Sequence, residues 1–399
     1  MTVEIRPAKP EEMEEFGIVS GTSLGMMPEI FQRMQPDWTL CCFENGKLVT
    51  SYGTWPLTMR FNGEGVPAAG GTAVGTRPMY RRRGHLRELS IALHKSLYEK
   101  GERPLIIGIP SLAAIYHRYG RSVVSYYNSY NVEPRYVQLL LDSPIEGEFR
   151  DTDGKEEAEL LEKLFQRFIE DRTGYIHRRP GHWSWGVLAA PPPGGLLSTI
   201  IYEEDGKPTG YLVYFVQNMS EWGFVPRLRL VIRDLVWLTT TAYRAIWEYL
   251  SRMDIASNII WAKVPPDDPL PHIIQEPRML NITSHDGVMA RIIDIEKALP
   301  RRYYPEEATL TFEITDDMCP WNTGRWQLET APDGAAIKHT TAEPQLNIPI
   351  STLALLAFGQ VSASEAARMG RLDVTDHGAL PLWDKAMRTK YQPFCPDFF

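Results

Sequence analysis

Apolar and polar positions alternate in short bursts along the first third of the chain, and turn residues separate the bursts. Val3 to Arg6 reads as a strand, followed by a helix carrying Glu11, Glu12, Glu14 and Glu15 and a second helix near Pro28 to Met34. Trp38 to Phe43 and Lys47 to Trp55 are β-prone runs on either side of Glu44-Asn45-Gly46. An Asn-Gly step between two such runs is a strong hairpin signal. Leu57 to Phe61 predicts a further strand, Asn62 to Gly65 a turn, and a run of Ala, Val and Thr leads from Thr72 to Pro78. Leu86 to Tyr98 carries Leu and Ile at helical spacing. Pro104 to Pro110 is short and apolar, the pattern of a buried strand, and Ser111 is placed to cap a helix that runs through Tyr116 to Tyr119 and closes at Gly120. Residues 1–140 thus read as one α/β domain.

Residues 141–290 repeat much of this order. Leu160, Leu161, Leu164, Phe165 and Phe168 recur at the spacing of an amphipathic helix. Leu197 to Tyr202 and Gly210 to Gln217 flank the turn Glu204 to Lys207, and Arg227 to Leu238 is another strand. A helix from Thr240 to Met253 and a strand from Asn258 to Val264 follow. Residues 291–399 differ: Arg291 to Leu299, Thr309 to Ile314, Gly324 to Glu329 and Ala335 to His339 are short strands. Ile348 to Ala357, Ser364 to Gly370 and Leu380 to Met387 are short helices. Strands followed by helices indicate an α+β layer.

Composition narrows the function classes. With 399 residues, 43% hydrophobic and 23% charged, the chain has the make-up of a globular protein of two or three domains. No run approaches the roughly 20 apolar residues a membrane span needs, and MTVEIRPAKPEEMEEF lacks the basic start and apolar core of a signal peptide. The expectation is a cytoplasmic protein without a membrane partner. A net charge of −8 argues against bulk nucleic-acid binding and favours cationic small molecules or peptides. Cys41, Cys42, Cys319 and Cys395 lack the paired spacing of a zinc site or a disulfide framework and read as buried thiols. No metal is expected.

The stretch TAVGTRPMYRRRGHLR, Thr72 to Arg87, carries the chemistry. It reads as strand, anion loop and helix. Gly84 allows close backbone approach, and the first helical turn leaves N–H groups pointing at that place. Arg81, Arg82 and Arg83 add charge suited to a pyrophosphate, and His85 stands where it could face phosphate or solvent. No Gly-Lys-Ser/Thr follows, so this is not a Walker loop. Arg81-Arg82-Arg83-Gly84-His85-Leu86 resembles the acyl-CoA loop of the GCN5-related N-acetyltransferases, Gln/Arg-x-x-Gly-x-Gly/Ala, with Leu86 departing at the last position. Ile115-Tyr116-His117-Arg118-Tyr119-Gly120 matches the helix that faces the CoA sulfur in that family, with Arg121 where an aromatic is usual. Over nearly its full length the chain resembles the Eis-type members. The pieces are Arg233-Asp234-Leu235 with Ala245-Ile246-Trp247, then Asp268-Pro269-Leu270-Pro271, Ala290 to Ile295, Gly370-Arg371-Leu372 and the closing Pro396-Asp397-Phe398-Phe399.

That resemblance implies tandem acetyltransferase folds, the second without a CoA loop because Thr239-Thr240-Thr241-Ala242 replaces it, followed by a sterol-carrier-like α+β domain. It also implies an acetyl-CoA-dependent transfer to a primary amine of a polyamine, an aminoglycoside-like molecule or a lysine. Tyr116 would be the general acid and the free carboxylate of Phe399 the general base. Backbone donors at Val74, Gly75 and Thr76 would hold the pantetheine, with Arg81 to Leu86 at the pyrophosphate. A homo-hexamer is implied too. Aminoglycoside-acetylating members carry an acidic residue just before the C-terminus; here Phe398 stands there, Asp397 is one step earlier, and Glu29 and Glu11 to Glu15 are candidate substitutes. Trp38 and Trp55 are candidates for the lining of an acceptor cleft. The competing class is a non-catalytic binder of acyl-CoA or an apolar ligand.

Overall fold

The computed structural model describes residues 2–140, 144–193, 195–220 and 227–399. It divides into two units, one of Met1–Ser125, Gly287–Lys390 and Phe399, the other of Tyr126–Asp286 and Tyr391–Phe398.

The first unit holds two sheets. One contains β1 (Val3–Arg6), β2 (Thr39–Glu44), β3 (Lys47–Phe61), β4 (Glu64–Thr76), β5 (Leu105–Gly108), β6 (Ser122–Val123) and β14 (Met289–Ile292), in the order β1-β2-β3-β4-β5-β14-β6. Helices α1 (Met13–Leu24), α2 (Glu29–Gln32), α3 (His85–Lys100) and α4 (Ala113–His117) accompany it. Adjacent strand residues face opposite ways, and the two cysteines of β2 show it. Cys41 joins Phe16 and Val19 of α1, whereas Cys42 joins Leu89, Leu93 and Leu97 of α3. The sheet is therefore covered on both faces, and both thiols are buried and free.

Two stretches read separately from sequence, Lys47 to Trp55 and Leu57 to Phe61, form the single strand β3. Pro56 does not break it because β2 stops pairing opposite Gly53, leaving β4 as the one remaining neighbour.

The other sheet of this unit has the order β17 (Gly334–His339), β16 (Gly324–Ala331), β15 (Ala308–Thr315), β18 (Leu346–Pro349), β19 (Asp373–Val374), with helices at Ile350–Phe358, Ala363–Arg368 and Leu380–Ala386. Arg291 of β14 joins the two parts. It is fully buried, donates to both oxygens of Asp316 at 2.6 and 2.7 Å, and donates to the Tyr119 carbonyl at 2.9 Å. A buried guanidinium requires such partners.

The second unit has one sheet, in the order β13 (Thr283–Asp286), β7 (Tyr126–Val132), β12 (Ala256–Val264), β11 (Leu228–Trp237), β10 (Lys207–Asn218), β9 (Leu196–Glu204), β8 (Glu148–Thr152). Helix α5 (Ala158–Ile169) packs Leu161, Leu164 and Phe165 on it, and helix Thr240–Ser251 packs Ile246, Trp247 and Leu250. Strand β7, which the sequence assigned to the first segment, pairs here with β12 and β13. Conversely, Arg291 to Leu299, read as a strand opening the third segment, is strand only to Ile292: β14 pairs with β5 and β6, and the Asp294 side chain caps a helix at Ile295–Ala298. Both are short strands whose partners are set by distant pairing rather than by local pattern.

Candidate active site

Strand β4 carries a bulge. Thr72 pairs with Gly53 and Gly75 with Ser51, so β4 takes one more residue than β3 over this step, and Ala73 sits at φ 51°. The displaced Ala73 carbonyl accepts from the Ser51 hydroxyl at 2.9 Å and the Ser20 hydroxyl at 3.2 Å, while those hydroxyls lie 3.0 Å apart. A bulge interrupts the ladder and re-aims backbone groups. The parallel pairing of β4 with β5 also ends early, at Gly71 with Gly108, although β4 continues to Thr76. Among the described residues, the β5-facing edge of Val74, Gly75 and Thr76 thus has no strand partner.

The loop after β4 is shaped by two positive φ angles, 63° at Arg82 and 87° at Gly84. A Cβ on Gly84 would meet nothing within 4 Å, so conformation and not crowding asks for glycine there. Gly84 is the N-cap of the 16-residue α3 and supplies no side-chain cap, which leaves the first-turn N–H groups to a ligand. Arg81, Arg82, Arg83 and Gly84 are exposed. Arg81 Nε donates to the Thr76 carbonyl at 3.1 Å. Glu44 divides its oxygens between Arg83 Nη1 and His85 Nε2, each at 2.9 Å. The His85 ring is accordingly buried and faces neither phosphate nor solvent; its backbone N–H alone belongs to the helix start. Leu86 and Val74 pack against the same cluster as Leu89 and Leu93.

Tyr116 lies on α4, whose N-cap is Leu112 without a side-chain cap, not Ser111 as the sequence indicated. The helix is short because Gly120 turns the chain at φ 70° with Arg291 packed against its Cα. Arg121 is buried, donates to the Tyr52 hydroxyl, and holds its guanidinium 5.1 Å from the Tyr116 ring centroid. Burial pushes the Tyr116 phenol up to about 12; nearby Tyr52 adds to the shift and Arg121 opposes it.

Three glycines make room where β4 and β5 part. A Cβ would come 3.2 Å from the Phe399 ring at Gly70, 2.9 Å from the Tyr52 hydroxyl at Gly71, and 2.9 Å from Arg121 Nη1 at Gly108. Phe399 is 8% exposed and its neighbour Phe398 68%. Tyr52 and Arg121 thus meet over Gly71 and Gly108, with Tyr116 beside Arg121, whereas the Phe399 ring lies against the neighbouring Gly70, on the opposite face of β4. The helical motif pointed to Tyr116, and Arg121 was visible as a departure from it. Tyr52 had no signal beyond a place in a β-prone run.

The other candidates lie elsewhere. Glu12 pairs with Arg6 at 2.7 Å and Glu15 with Arg77 at 2.8 Å, while Glu29 is exposed on α2. Asp397 is buried against Arg178 at 2.9 Å in the second unit. His117 is exposed, with Nδ1 3.0 Å from the Arg121 carbonyl. Trp38 and Trp55 meet edge to face at 5.4 Å and pack on the α1 cluster. At the corresponding helix of the second unit, the Thr239 hydroxyl accepts from Ala242 N–H at 3.0 Å and donates to the Glu204 carboxylate.

Residues 4–124 match an acetyltransferase (GNAT) domain, residues 174–292 match a second one, and residues 295–396 match a sterol carrier protein domain. N-acetyltransferase Eis of Mycobacterium tuberculosis is 27% identical over 80% of this chain and 78% of its own length. The crystal structure of Eis1 from Mycobacterium abscessus superposes with a TM-score of 0.86 at 25% identity, covering 100% of both chains. The chain is an N-acetyltransferase with two GNAT domains and a sterol carrier protein domain, similar to Eis. An uncharacterized N-acetyltransferase of Streptomyces avermitilis is 27% identical over 100% of this chain and 99% of its own length. The tandem acetyltransferase folds and the closing sterol-carrier-like α+β domain expected from the sequence are thus present. Among the described residues no helix is long and apolar enough to cross a membrane.

Proposed function

We propose that this Eis-type chain transfers acetyl from acetyl-CoA to a primary amine in the cleft where β4 and β5 part, by direct attack of the amine on the thioester. The observation that supports the reading is the meeting of Tyr116, Arg121 and Tyr52 at the point where the β4–β5 pairing ends, with the last residue, Phe399, packed against Gly70 of the same stretch of β4. The uncapped start of α3, with Gly84, Arg81, Arg82 and Arg83, receives the pyrophosphate, joined by the backbone of His85 and Leu86. N–H groups of Val74, Gly75 and Thr76 hold the pantetheine and polarise the acetyl carbonyl.

An amine is protonated at neutral pH, so the attacking nitrogen must first lose a proton. The Phe399 carboxylate takes it. The N–C bond forms, the C–S bond breaks, the phenol of Tyr116 donates its proton to the departing sulfur, and the second proton of the acylated nitrogen leaves to restore the phenol while the carboxylate releases its proton to water. A phenol raised to about 12 keeps that proton across the working range. Arg121 beside the ring opposes the rise and so makes Tyr116 a better donor than burial alone would leave it. All four cysteines are buried, and burial raises the Cys41, Cys42, Cys319 and Cys395 thiols, which disfavours an acyl-enzyme route. In the second domain, Thr239 and Glu204 fill the place an anion would take, giving one acetyl-CoA per chain.

The acceptor is a polyamine, an aminoglycoside-like molecule or a lysine side chain, and the assembly is the homo-hexamer that the family resemblance implies, to be checked by light scattering. Steady-state release of free CoA across an amine panel tests the function. Release above background with at least one amine is expected. Background release with every amine, while calorimetry still shows acetyl-CoA binding, would replace the reading with a non-catalytic acyl-CoA binder.

A further inference from the structure

A second acetyltransferase domain with a self-capped helix start has no acetyl group to handle, and the contacts of the chain's tail suggest another task. In the second unit, residues 391–398 are held at Tyr391, Gln392, Phe394 and Asp397. Tyr391 lies under the Arg172 guanidinium at 4.0 Å, the Gln392 N–H donates to Asp267 at 2.8 Å, and the Phe394 N–H donates to the Thr173 carbonyl at 3.1 Å. The Phe394 ring is buried 5.4 Å from that of Tyr175. Gly174 permits the approach: its φ is 87° and a Cβ there would stand 2.9 Å from the Phe394 nitrogen.

The tail occupies a telling place. Strands β11 and β12 are the parallel pair of this sheet, and their pairing ends at Ile232 with Trp261 although β11 runs on to Trp237. A cavity of about 260 Å³ borders this segment, lined by Asp234 and Lys263 of the two strands and by Phe394 and Pro396 of the tail. The split between parallel strands that receives pantetheine in the first domain is walled in the second by the chain's own tail.

Asp397 is the tail's last charged anchor. Its Oδ1 accepts from Arg178 Nε at 2.9 Å, while Arg178 donates from its two terminal nitrogens to Asp234 at 2.6 and 3.0 Å. Tyr211 donates to Asp234 at 2.6 Å, and the guanidinium lies 3.8 Å from the Phe165 centroid and 4.8 Å from that of Trp183. All three charged groups are buried, and Asp397 Oδ2 has no hydrogen-bond partner. Burial raises the Asp397 carboxyl and Arg178 pulls it down. A buried ion pair with an unfilled acceptor is a weak source of stability; what it supplies is a single permitted geometry.

We propose that the second domain is a holder for the tail, and that Asp397, locked on Arg178 and Asp234, is a positioning residue for the carboxylate of Phe399 two residues later. The inference rests on the reading of that carboxylate as the general base. Asp397→Asn keeps the shape and removes the charge. With spermidine as acceptor, its kcat falls about 10- to 100-fold, the range expected when a catalytic group is displaced by about an ångström. KM for acetyl-CoA and the thermal midpoint stay near wild type, Asp397→Glu recovers part of kcat, and carboxypeptidase releases phenylalanine faster from the Asn variant. Arg178→Lys, which keeps the charge and loses the fork, gives the same pattern and serves if the Asn variant does not fold. Deleting Phe399 separates the two readings. If deletion leaves kcat intact, the general-base reading fails. If deletion abolishes turnover while Asp397→Asn and Arg178→Lys both turn over as wild type, the base stands and the positioning role is overturned. A fall in kcat matched by an equal loss of acetyl-CoA binding marks general damage and also overturns it.

Discussion

The Phe399 ring lies 3.2 Å from the point that a Cβ on Gly70 would occupy. Gly70 is a strand residue at an ordinary negative φ, so the absent side chain matters for space and not for conformation. The same Cβ would come 2.5 Å from Leu57 Cδ1, the mobile end of a side chain that can turn away. The ring of the last residue is itself buried. Gly70→Ala is therefore expected to lower kcat while KM for acetyl-CoA and the melting temperature change little. Steady-state kinetics with thermal unfolding checks it, and unchanged turnover would mean that the end of the chain has no part in the reaction.

Tyr116→Phe removes the proposed acid and keeps the ring under Arg121. Turnover should fall about 100-fold, within the usual range for general acid catalysis, with little change in acetyl-CoA affinity. A wild-type rate would remove Tyr116 from the mechanism. The phenol is raised to about 12 from 10.0, so the folded protein holds this proton more tightly than the unfolded chain. Its contribution to stability is complete below pH 10, and is lost as pH rises toward 12. Wild type should lose stability more steeply than Tyr116→Phe over that window, as measured by denaturant unfolding.

Gly84→Ala separates conformation from contact at the pyrophosphate loop. Open space surrounds the site of the new methyl, yet φ 87° is unfavourable for alanine, at a cost of about 1 kcal/mol. The strain is relieved by tilting the start of α3 and turning its N–H groups away from the anion. Calorimetry should show weaker acetyl-CoA binding and a nearly intact fold. Affinity equal to wild type would place the pyrophosphate elsewhere.

How much of this was legible depended on distance along the chain. The strand, loop and helix from Thr72 to Tyr98 could be read because their signals are local: β-prone residues, an arginine run, Gly84, then helical spacing. The inward turn of His85 could not be read, because Glu44 is its partner and no spacing rule links positions 44 and 85. The same holds for Arg121, whose partners Tyr52 and Tyr116 come from a strand and a helix that meet only in the folded sheet. The partners of strands β7 and β14 could not be read for that reason, both being short segments that pair with distant ones. Asp397 stood one step before the family's acidic position near the end of the chain, and no spacing rule shows that Arg178 holds it in the second unit.

Asp268 in the second unit provides a test of the electrostatics away from the reaction. It is buried and accepts from the Tyr243 hydroxyl at 2.8 Å, the Tyr130 hydroxyl at 3.0 Å and the Leu270 N–H at 3.1 Å. Burial nonetheless outweighs these bonds and raises the carboxyl from 3.8 to about 7. The folded state therefore binds the proton more tightly than the unfolded chain, and stability from this group is complete below pH 3.8 and lost as pH rises through 7. Asp268→Asn cannot ionise. Relative to wild type, its unfolding free energy should improve steadily from pH 4 to pH 8, whatever the constant offset from reseating an amide among two phenols. Parallel stability curves for the two proteins would show that Asp268 ionises at an ordinary pH, and that the tyrosine hydroxyls compensate its burial in full.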